Sequence, residues 1–91
     1  MLNQIILVGR IIEIGEEEII IKVPRSFKNE QGEYEEDNIP ITIKEYIFTN
    51  VKEYCYKGDI VGIKGHIESE NKVMQIVAEK VTFLSSKKED E

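Results

Sequence analysis

The chain has 91 residues, of which 41% are hydrophobic and 33% charged, and its 12 basic and 18 acidic side chains give a net charge of −6. This length supports one domain around a single small core. No apolar run approaches the roughly 20 residues of a membrane span, and the N-terminus lacks the features of a signal peptide, so we expect a cytoplasmic protein that does not enter a membrane.

Three strands are predicted in the first half of the chain. The first is long and rich in Ile and Val, and its internal Gly9 is typical of a strand that bends to serve two sides of a small closed barrel. Pro24 is predicted to end the second strand. The polar residues 26–37 are interpreted as a long hairpin loop or an extended, mobile ribbon. The three strands cover residues 2–14, 17–23 and 39–43.

The hydrophobic period changes in the second half. Large apolar residues recur at helical spacing from Ile47 to Cys55, and Lys57 and Gly58 are predicted to end this helix with a favourable charge and a left-handed cap. Two further strands are predicted over residues 60–67 and 73–84, joined by a short turn at residues 69–71.

The element order β-β-β-α-β-β favours an all-β fold. Five short antiparallel strands with one short helix between strands 3 and 4 are typical of the partly open Greek-key barrel called the OB-fold. We expect this domain to cover residues 1–84. Residues 85–91 have nothing to bury and are predicted to be a disordered charged tail or the start of a linker.

The negative charge is concentrated in one place. Residues 30–37 contain five acidic side chains and no basic one, whereas the predicted barrel is electrically balanced. Net charge therefore weakens a nucleic-acid interpretation without excluding it.

Five segments carry a resemblance to a known family. They are residues 3–11 (NQIILVGRI), 23–28 (VPRSFK), 31–33 (QGE), 50–65 (NVKEYCYKGDIVGIKG) and 77–84 (VAEKVTFL). In this order and at this spacing they resemble the blocks of bacterial single-stranded DNA-binding proteins, over nearly the whole of residues 1–84. The resemblance implies an OB-fold, single-stranded DNA as the partner and a role in DNA replication or repair.

The chain also departs from the family pattern. The family's third-strand aromatics, near the positions of Asn38 and Lys44, are absent, the last hairpin is reduced to residues 69–72, and there is no tryptophan. Among the usual stacking positions only Phe27 matches. These losses make the chain similar to a shortened branch, primosomal replication protein N, which implies a homodimer, replication or primosome proteins as partners, and a role in replication restart.

The candidate binding residues are cations and exposed rings, since single strands bind such barrels through phosphate neutralisation and base stacking. Lys22 and Lys44 alternate with Ile and are predicted to face away from the core, although each also fits an ordinary solvated strand position. Phe27 stands between two cations at the base of the longest loop. The candidates are Arg10, Lys22, Arg25, Phe27, Lys28, Lys44, Tyr46 and Lys64.

The other aromatic residues have plainer interpretations. Tyr34, among acidic neighbours, is interpreted as a loop residue folding back onto the barrel. Tyr46, Tyr54 and Tyr56 surround the helix and also fit packing or oligomer contacts. Phe83 alternates with Val81 and is predicted to be a core residue.

Catalytic, metal and cofactor chemistry has little sequence support. His66, the only histidine, has no carboxylate or cysteine patterned around it and is interpreted as a plain strand residue. The only cysteine, Cys55, cannot form an internal disulfide and is interpreted as a buried structural thiol. No nucleophile has a neighbouring base, and there is no glycine-rich phosphate loop. We therefore expect no enzymatic activity, no cofactor and no metal.

Two functional hypotheses remain. The first is a non-catalytic single-stranded DNA-binding module of replication, repair or primosome-dependent restart. The second is a protein-interaction or oligomerisation module of a replication complex with weak or no DNA binding, which the missing aromatics favour. The apolar first strand predicts a homodimer through that strand, with a tetramer as a further possibility.

Overall fold

The computed structural model describes residues 1–85, and this part of the chain forms five strands and one helix. The strands close into a barrel in the order β1-β2-β3-β5-β4. Neighbouring strands are antiparallel except β3 and β5, which are parallel. The elements are β1 (Ile5–Ile14), β2 (Glu18–Lys28), β3 (Tyr34–Ile43), α1 (Glu45–Tyr54), β4 (Ile60–Glu70) and β5 (Val73–Ser85).

The predicted five-stranded barrel with one helix between the third and fourth strands is confirmed. Ser85, assigned to the tail by the sequence, ends β5 instead. The rest of the predicted tail, residues 86–91, lies outside the described residues.

The first strand serves two sides of the barrel, as its glycine predicted. Its first half pairs with β4 and its second half with β2, with a register shift between Ile11 and Glu13. A Cβ atom on Gly9 would lie 2.7 Å from the carbonyl oxygen of Lys22, too close for any other residue without a backbone shift. The absence of a side chain thus lets β1 approach β2 where it bends.

The barrel interior is filled mainly by isoleucine. Alternate residues of each strand point inward, because side chains in a strand alternate between its two faces. The helix closes one end of the barrel by adding Phe48 and Val51 to the same cluster. The most completely buried side chains are Ile11, Ile19, Ile21, Ile41, Ile43, Val61 and Ile63.

The helix ends earlier than predicted, and it has no glycine cap. Its last residue is Tyr54, and Cys55 is already extended at φ −115° while its N–H bonds to the carbonyl of Val51 at 2.8 Å. The basic residue in the last turn is Lys52 rather than Lys57. Cys55 is buried, as predicted, and burial raises the pKa of its thiol.

Gly58 does adopt the left-handed conformation, but in a separate turn that leads into β4. Its φ is +96°. Its N–H bonds to the carbonyl of Ile11 at 2.8 Å, and the N–H of Ile11 bonds back to the carbonyl of Asp59 at 2.9 Å. The buried Asp59 carboxylate accepts the N–H of Tyr56 at 2.8 Å. This turn therefore ties the helix end to the middle of β1.

The second strand continues past Pro24, contrary to the prediction. Pro24 pairs with Glu36, and β2 runs on to Lys28. We call residues 22–37 the ribbon. For residues 26–37, the extended ribbon was the second of the two interpretations. The tip is closed by Asn29, whose side-chain oxygen accepts two backbone N–H groups, from residues 31 and 33, at 2.9 and 3.0 Å. A local polar turn thus lets the pairing extend outward through a polar sequence.

The hairpin between β4 and β5 turns at Asn71 and Lys72, whereas the predicted turn covered residues 69–71. Both have positive φ, +52° and +67°, as a two-residue type I′ turn requires. If the strands paired without interruption from this turn, Lys64 would lie opposite Glu79. A register shift between Lys64 and Gly65 places it opposite Lys80 instead. The bulge therefore changes which charges meet across the sheet.

Candidate nucleic-acid interface

Two predicted cations meet where the ribbon leaves the barrel. Arg10 of β1 and Lys22 of β2 are direct register partners and line one groove. The Nζ of Lys22 lies 4.0 Å from Oε1 of Glu36, which lines the same groove. Arg10 also donates from Nη1 to the carbonyl of Gly58 at 2.6 Å. Arg10 therefore supports the turn before β4 as well as presenting charge.

Arg25 lies farther along the ribbon and is held by carboxylates. Its Nε and Nη2 donate to the two oxygens of Asp37 at 2.9 and 3.0 Å, and Nη1 lies 3.5 Å from Oε1 of Glu35. The hydrogen bond with Asp37 raises the pKa of Arg25 and holds the pKa of the Asp37 carboxyl below its usual range. This is the paired, fork-shaped contact that a guanidinium also makes with phosphate.

The ribbon also presents two aromatic rings. Phe27 is 64% exposed, which is unusual for a phenylalanine and consistent with the predicted stacking role. Tyr34 does not fold back onto the barrel. It begins β3, is 60% exposed and pairs with Lys28, whose Nζ lies 5.7 Å from the ring centroid. Lys28 is thus positioned by a cation–π contact at this end of the ribbon.

Lys44 and Tyr46 lie away from that groove, at the start of α1. Lys44 follows β3 and is the N-cap residue, with no side-chain hydrogen bond to the helix. Its charge helps to lower the pKa of Glu68 on β4. Tyr46 is 74% exposed and lines a different groove, between α1 and β5, together with Tyr54.

That second groove contains a residue whose placement the sequence predicted incorrectly. Phe83 is 45% exposed and lines the groove instead of lying in the core. The helix closes the barrel interior at this end. The side chain of Phe83, near the end of β5, therefore lies beside α1 and not in the interior that α1 covers. Three exposed rings, of Tyr46, Tyr54 and Phe83, consequently surround one groove.

Lys64 faces a cation that the sequence reasoning missed. It lies directly opposite Lys80 on the outer face of β4 and β5, and both side chains are exposed. Like charges in direct register repel, so this spot is suited to an anion from outside the chain. Counting residues back from the hairpin could not reveal the pair, because the bulge shifts the register by one residue.

His66 also has partners that the sequence did not indicate. Its Nδ1 lies 2.7 Å from Oε2 of Glu79 and its Nε2 lies 2.7 Å from Oε2 of Glu68. Both ring nitrogens face carboxylates, so both must carry protons, and the hydrogen bonds raise the pKa of His66. The same contact lowers the pKa of Glu68. His66 does lie in a strand, β4, as predicted, but its two carboxylate partners were not predicted.

This cluster does not form a metal site. The two carboxylates approach opposite nitrogens of one ring, so their oxygens do not converge on a common point with the imidazole. Across residues 1–85 there is no group of three or more His, Cys, Asp or Glu side chains arranged to hold a metal ion.

A third groove lies between β2, β3 and the last hairpin, where OB-folds generally hold oligonucleotides. In the described part of the chain its lining contains neither a cation nor an aromatic ring. Exposed Met74 and Ile67 stand there with Glu18 on the rim. This groove therefore offers a mainly apolar surface and none of the predicted binding residues.

The structure thus divides the eight predicted binding residues among three areas. Arg10 and Lys22 meet at the base of the ribbon, and Arg25, Phe27 and Lys28 follow along it. The other three are apart from these: Lys44 and Tyr46 at the helix start, and Lys64 on the outer face of β4.

A closed five-stranded barrel with this strand order and a helix between β3 and β4 is an OB-fold domain. Solved structures of similar fold include the N-terminal domain of PriB from Thermoanaerobacter tencongensis, with TM-score 0.67 and 24% identity, covering 92% of this chain and 98% of that one. Another is the Plasmodium falciparum SSB in complex with ssDNA, with TM-score 0.69 and 19% identity, covering 93% and 97%.

Sequence comparison gives the family. No protein-family model matches. The chain is 32% identical over 106 residues to single-stranded DNA-binding protein B of Bacillus subtilis (strain 168), covering 96% of this chain and 94% of that protein. It is 33% identical over 110 residues to single-stranded DNA-binding protein 1 of Staphylococcus aureus (strain MSSA476), covering 100% and 70%. The chain belongs to the single-stranded DNA-binding protein family, as the five sequence segments predicted.

Both alignments are longer than the 91 residues of the chain, so each relative carries insertions. Over residues 1–85, no helix has the length and apolarity needed to cross a membrane.

Proposed function

We propose that this chain is a non-catalytic single-stranded DNA-binding module that acts in the cytoplasm in DNA replication or repair. The observation that carries the proposal is the register pair of Arg10 and Lys22 at the base of a ribbon that presents exposed Phe27. Cations beside an exposed ring are what a single strand requires, because phosphates need neutralising and bases need a flat apolar face. Membership of the single-stranded DNA-binding protein family supports it.

The binding mode follows from where the groups lie. Arg10 and Lys22 would contact phosphates at the barrel wall, and a base would stack on Phe27 farther along the ribbon. Lys28, held over Tyr34, extends the path toward the ribbon tip. Lys44, Tyr46 and Lys64 would contact a strand that continues around the barrel. Nothing in this arrangement requires a bond to be made or broken.

A finer proposal concerns assembly and pathway. We infer a homodimer that works with replication or primosome proteins in replication restart. The PriB domain of similar fold is described as dimeric. The turn of the last hairpin has only two residues, Asn71 and Lys72, and this short connection supports placing the chain near that branch.

The alternative is a protein-interaction module with weak or no DNA binding. The groove between α1 and β5 favours it, since the exposed rings of Tyr46, Tyr54 and Phe83 form an apolar patch of the kind that protein partners cover.

Fluorescence anisotropy of a labelled oligo-dT, at low and moderate salt, separates the two proposals. We expect salt-dependent binding by the native chain. Phe27→Ala should weaken it about 5-fold or more, because stacking contributes at least about 1 kcal/mol per base. Lys22→Gln and Lys44→Glu should weaken binding and flatten its salt dependence. Glutamate at a helix N-terminus suits the helix dipole, so the second change should not disturb α1.

Tyr54→Ala is the matched control. Tyr54 and Phe27 are equally exposed, at 64% each, but Tyr54 lies on the helix away from the ribbon. Tyr54→Ala should therefore leave the affinity for oligo-dT unchanged. Absence of binding at low salt would refute the DNA-binding proposal. Binding that ignores Phe27→Ala and Lys22→Gln would place the site elsewhere.

A further inference from the structure

We propose that the β3 side of the ribbon limits the affinity for single-stranded DNA, because Glu35, Glu36 and Asp37 occupy the cations that DNA phosphates would otherwise contact. The proposal rests on the DNA-binding function proposed above and identifies the residues that set its strength.

The pairing follows the strand register. Pro24 is opposite Glu36 and Val23 is opposite Asp37, so the acidic side chains of β3 lie beside the basic ones of β2. Arg25 makes its two-pronged contact with Asp37 at 2.9 and 3.0 Å, and Lys22 is 4.0 Å from Glu36. Both cations of the ribbon's inner half are therefore already matched to oxygen acceptors.

The acids also outnumber the cations. Residues 22–37 contain three basic and five acidic side chains. Two of the acids, Glu30 and Glu33, lie at the tip, and within residues 1–85 neither forms a salt bridge. The ribbon thus has two kinds of carboxylate, those that hold a cation and those that contribute charge alone.

These ion pairs can be exchanged. The side chains of Arg25, Glu35 and Asp37 are 39%, 52% and 45% exposed, and pairs this exposed are held weakly against water and salt. The two non-bridging oxygens of a DNA phosphate can accept the same pair of N–H groups as a carboxylate, so a phosphate can take the place of Asp37 on the guanidinium.

The exchange should weaken binding and make it less dependent on salt than it would be if the paired ribbon cations were free. A protein cation that neutralises a phosphate releases a counterion from the DNA, which gives the usual steep salt dependence. When the phosphate displaces a carboxylate, the carboxylate attracts a cation from solution. Release and uptake then nearly cancel, and the displaced carboxylate remains beside the phosphate and repels it.

The test measures oligo-dT binding by Glu35→Gln/Asp37→Asn across a salt series. The amides keep the side-chain shape and remove the charge that holds Arg25. We expect binding about 2- to 5-fold tighter at low salt, the range that corresponds to losing one exposed ion pair. The plot of log affinity against log salt should steepen by about 0.7 for each cation freed.

Glu30→Gln/Glu33→Gln is the control. It makes the same change in net charge on the same ribbon but frees no cation, so its gain should be clearly smaller. A second control repeats Asp37→Asn in an Arg25→Gln background, where the gain should disappear because no guanidinium remains to be freed.

Four results would overturn the proposal. If Glu35→Gln/Asp37→Asn and Glu30→Gln/Glu33→Gln increase the DNA affinity equally, the increase comes from net charge alone. If Asp37→Asn still increases the affinity in the Arg25→Gln background, the increase again does not come from freeing the guanidinium. Salt-dependent binding by the native chain that no ribbon substitution changes would place the ribbon outside the DNA path, while the DNA-binding function would stand. No binding by any variant at low salt would instead refute the function itself, and this inference with it.

Discussion

His66 joins the last two strands through two carboxylates, one on each ring nitrogen. The arrangement requires the charged imidazolium, because a neutral ring has only one N–H and would turn a lone pair toward the other carboxylate. After the hydrogen bond to His66, the charge of Lys44 also helps to lower the pKa of Glu68. A single residue therefore makes the β4–β5 contact sensitive to pH.

We expect the contribution of His66 to stability to fall as pH rises. Its pKa in the folded chain is raised, so the contribution is fully present below the unfolded value of about 6.5 and is lost as pH rises through the folded value. The pKa of the Glu68 carboxyl is lowered in the folded chain, so its pH dependence has the opposite sign. Its contribution to stability is fully present above the unfolded pKa of about 4.3 and is lost as pH falls through the pKa of the folded chain.

Proton NMR can follow this titration without assignment, because the chain has one histidine. The ring signals should titrate above pH 6.5, and in Glu68→Gln/Glu79→Gln the pKa should return toward that of a free histidine. A native midpoint at or below 6.5 would contradict the bridge. Chemical denaturation at pH 6 and pH 9 should show a smaller difference for His66→Gln than for the native chain.

At the scale of elements, the bulge in β5, where Glu79 is the extra residue between Lys80 and Ala78, determines how the last hairpin is arranged. Gly65 lies against the backbone of Val77 and Ala78, in a position where a Cβ atom would overlap the carbonyl of Val77. Just past it the register shifts, bringing Lys64 opposite Lys80 and leaving Glu79 beside His66. One small residue thus permits both the like-charge pair and the histidine bridge.

Gly65→Ala should therefore destabilise the fold by about 1–3 kcal/mol, the usual cost of forcing an extra group into a packed interior. For a domain of this size that lowers Tm by about 4–8 °C per kcal/mol. Gly62→Ala in the same strand is the control, since a Cβ atom there would meet only Leu84 Cδ1 at 3.5 Å. Thermal unfolding of both variants checks this, and equal stability would contradict the close approach.

The ribbon shows what local sequence patterns can and cannot predict about strand pairing. Pro24 and the polar residues after it predicted that pairing would stop, and the alternative of an extended ribbon rested only on length. Pairing continues because Asn29 closes the tip and the acids of β3 face the cations of β2. The individual residues are visible in the sequence, but the contacts depend on register.

At the scale of the whole molecule, β1 is the element most suited to self-association. It pairs with β2 from Arg10 onward, and on its outer face Ile6 is 71% and Val8 51% exposed. Exposed apolar side chains beside a strand edge favour pairing with a second copy. The homodimer inferred above would use this strand.

Sedimentation velocity at micromolar concentration should show a dimer for the native chain and a monomer for Ile6→Glu. Val73→Glu, at a 60% exposed position on the last hairpin, introduces the same charge on an apolar site away from β1 and should remain dimeric. A native chain that sediments only as a monomer would contradict assembly through β1, as would dissociation of both variants alike.

The sequence alone determined the fold class, the element order and the family. These follow from local information: period-2 isoleucines define strands, period-3.6 apolar residues define the helix, and the family segments lie in order along the chain. It also predicted the burial of Cys55 from the apolar face of the helix, and the exposure of Phe27 from its place between two cations at the base of a polar segment.

Tertiary structure decided what the charged residues contact. The partners of Arg25, Lys64 and His66 lie on other strands, and a shift of one residue in register exchanges a carboxylate for a cation. Register is fixed jointly by turns, bulges and close glycine contacts that no single strand contains. The sequence therefore identified the candidate cations, whereas the barrel determined which of them are already paired and which remain exposed.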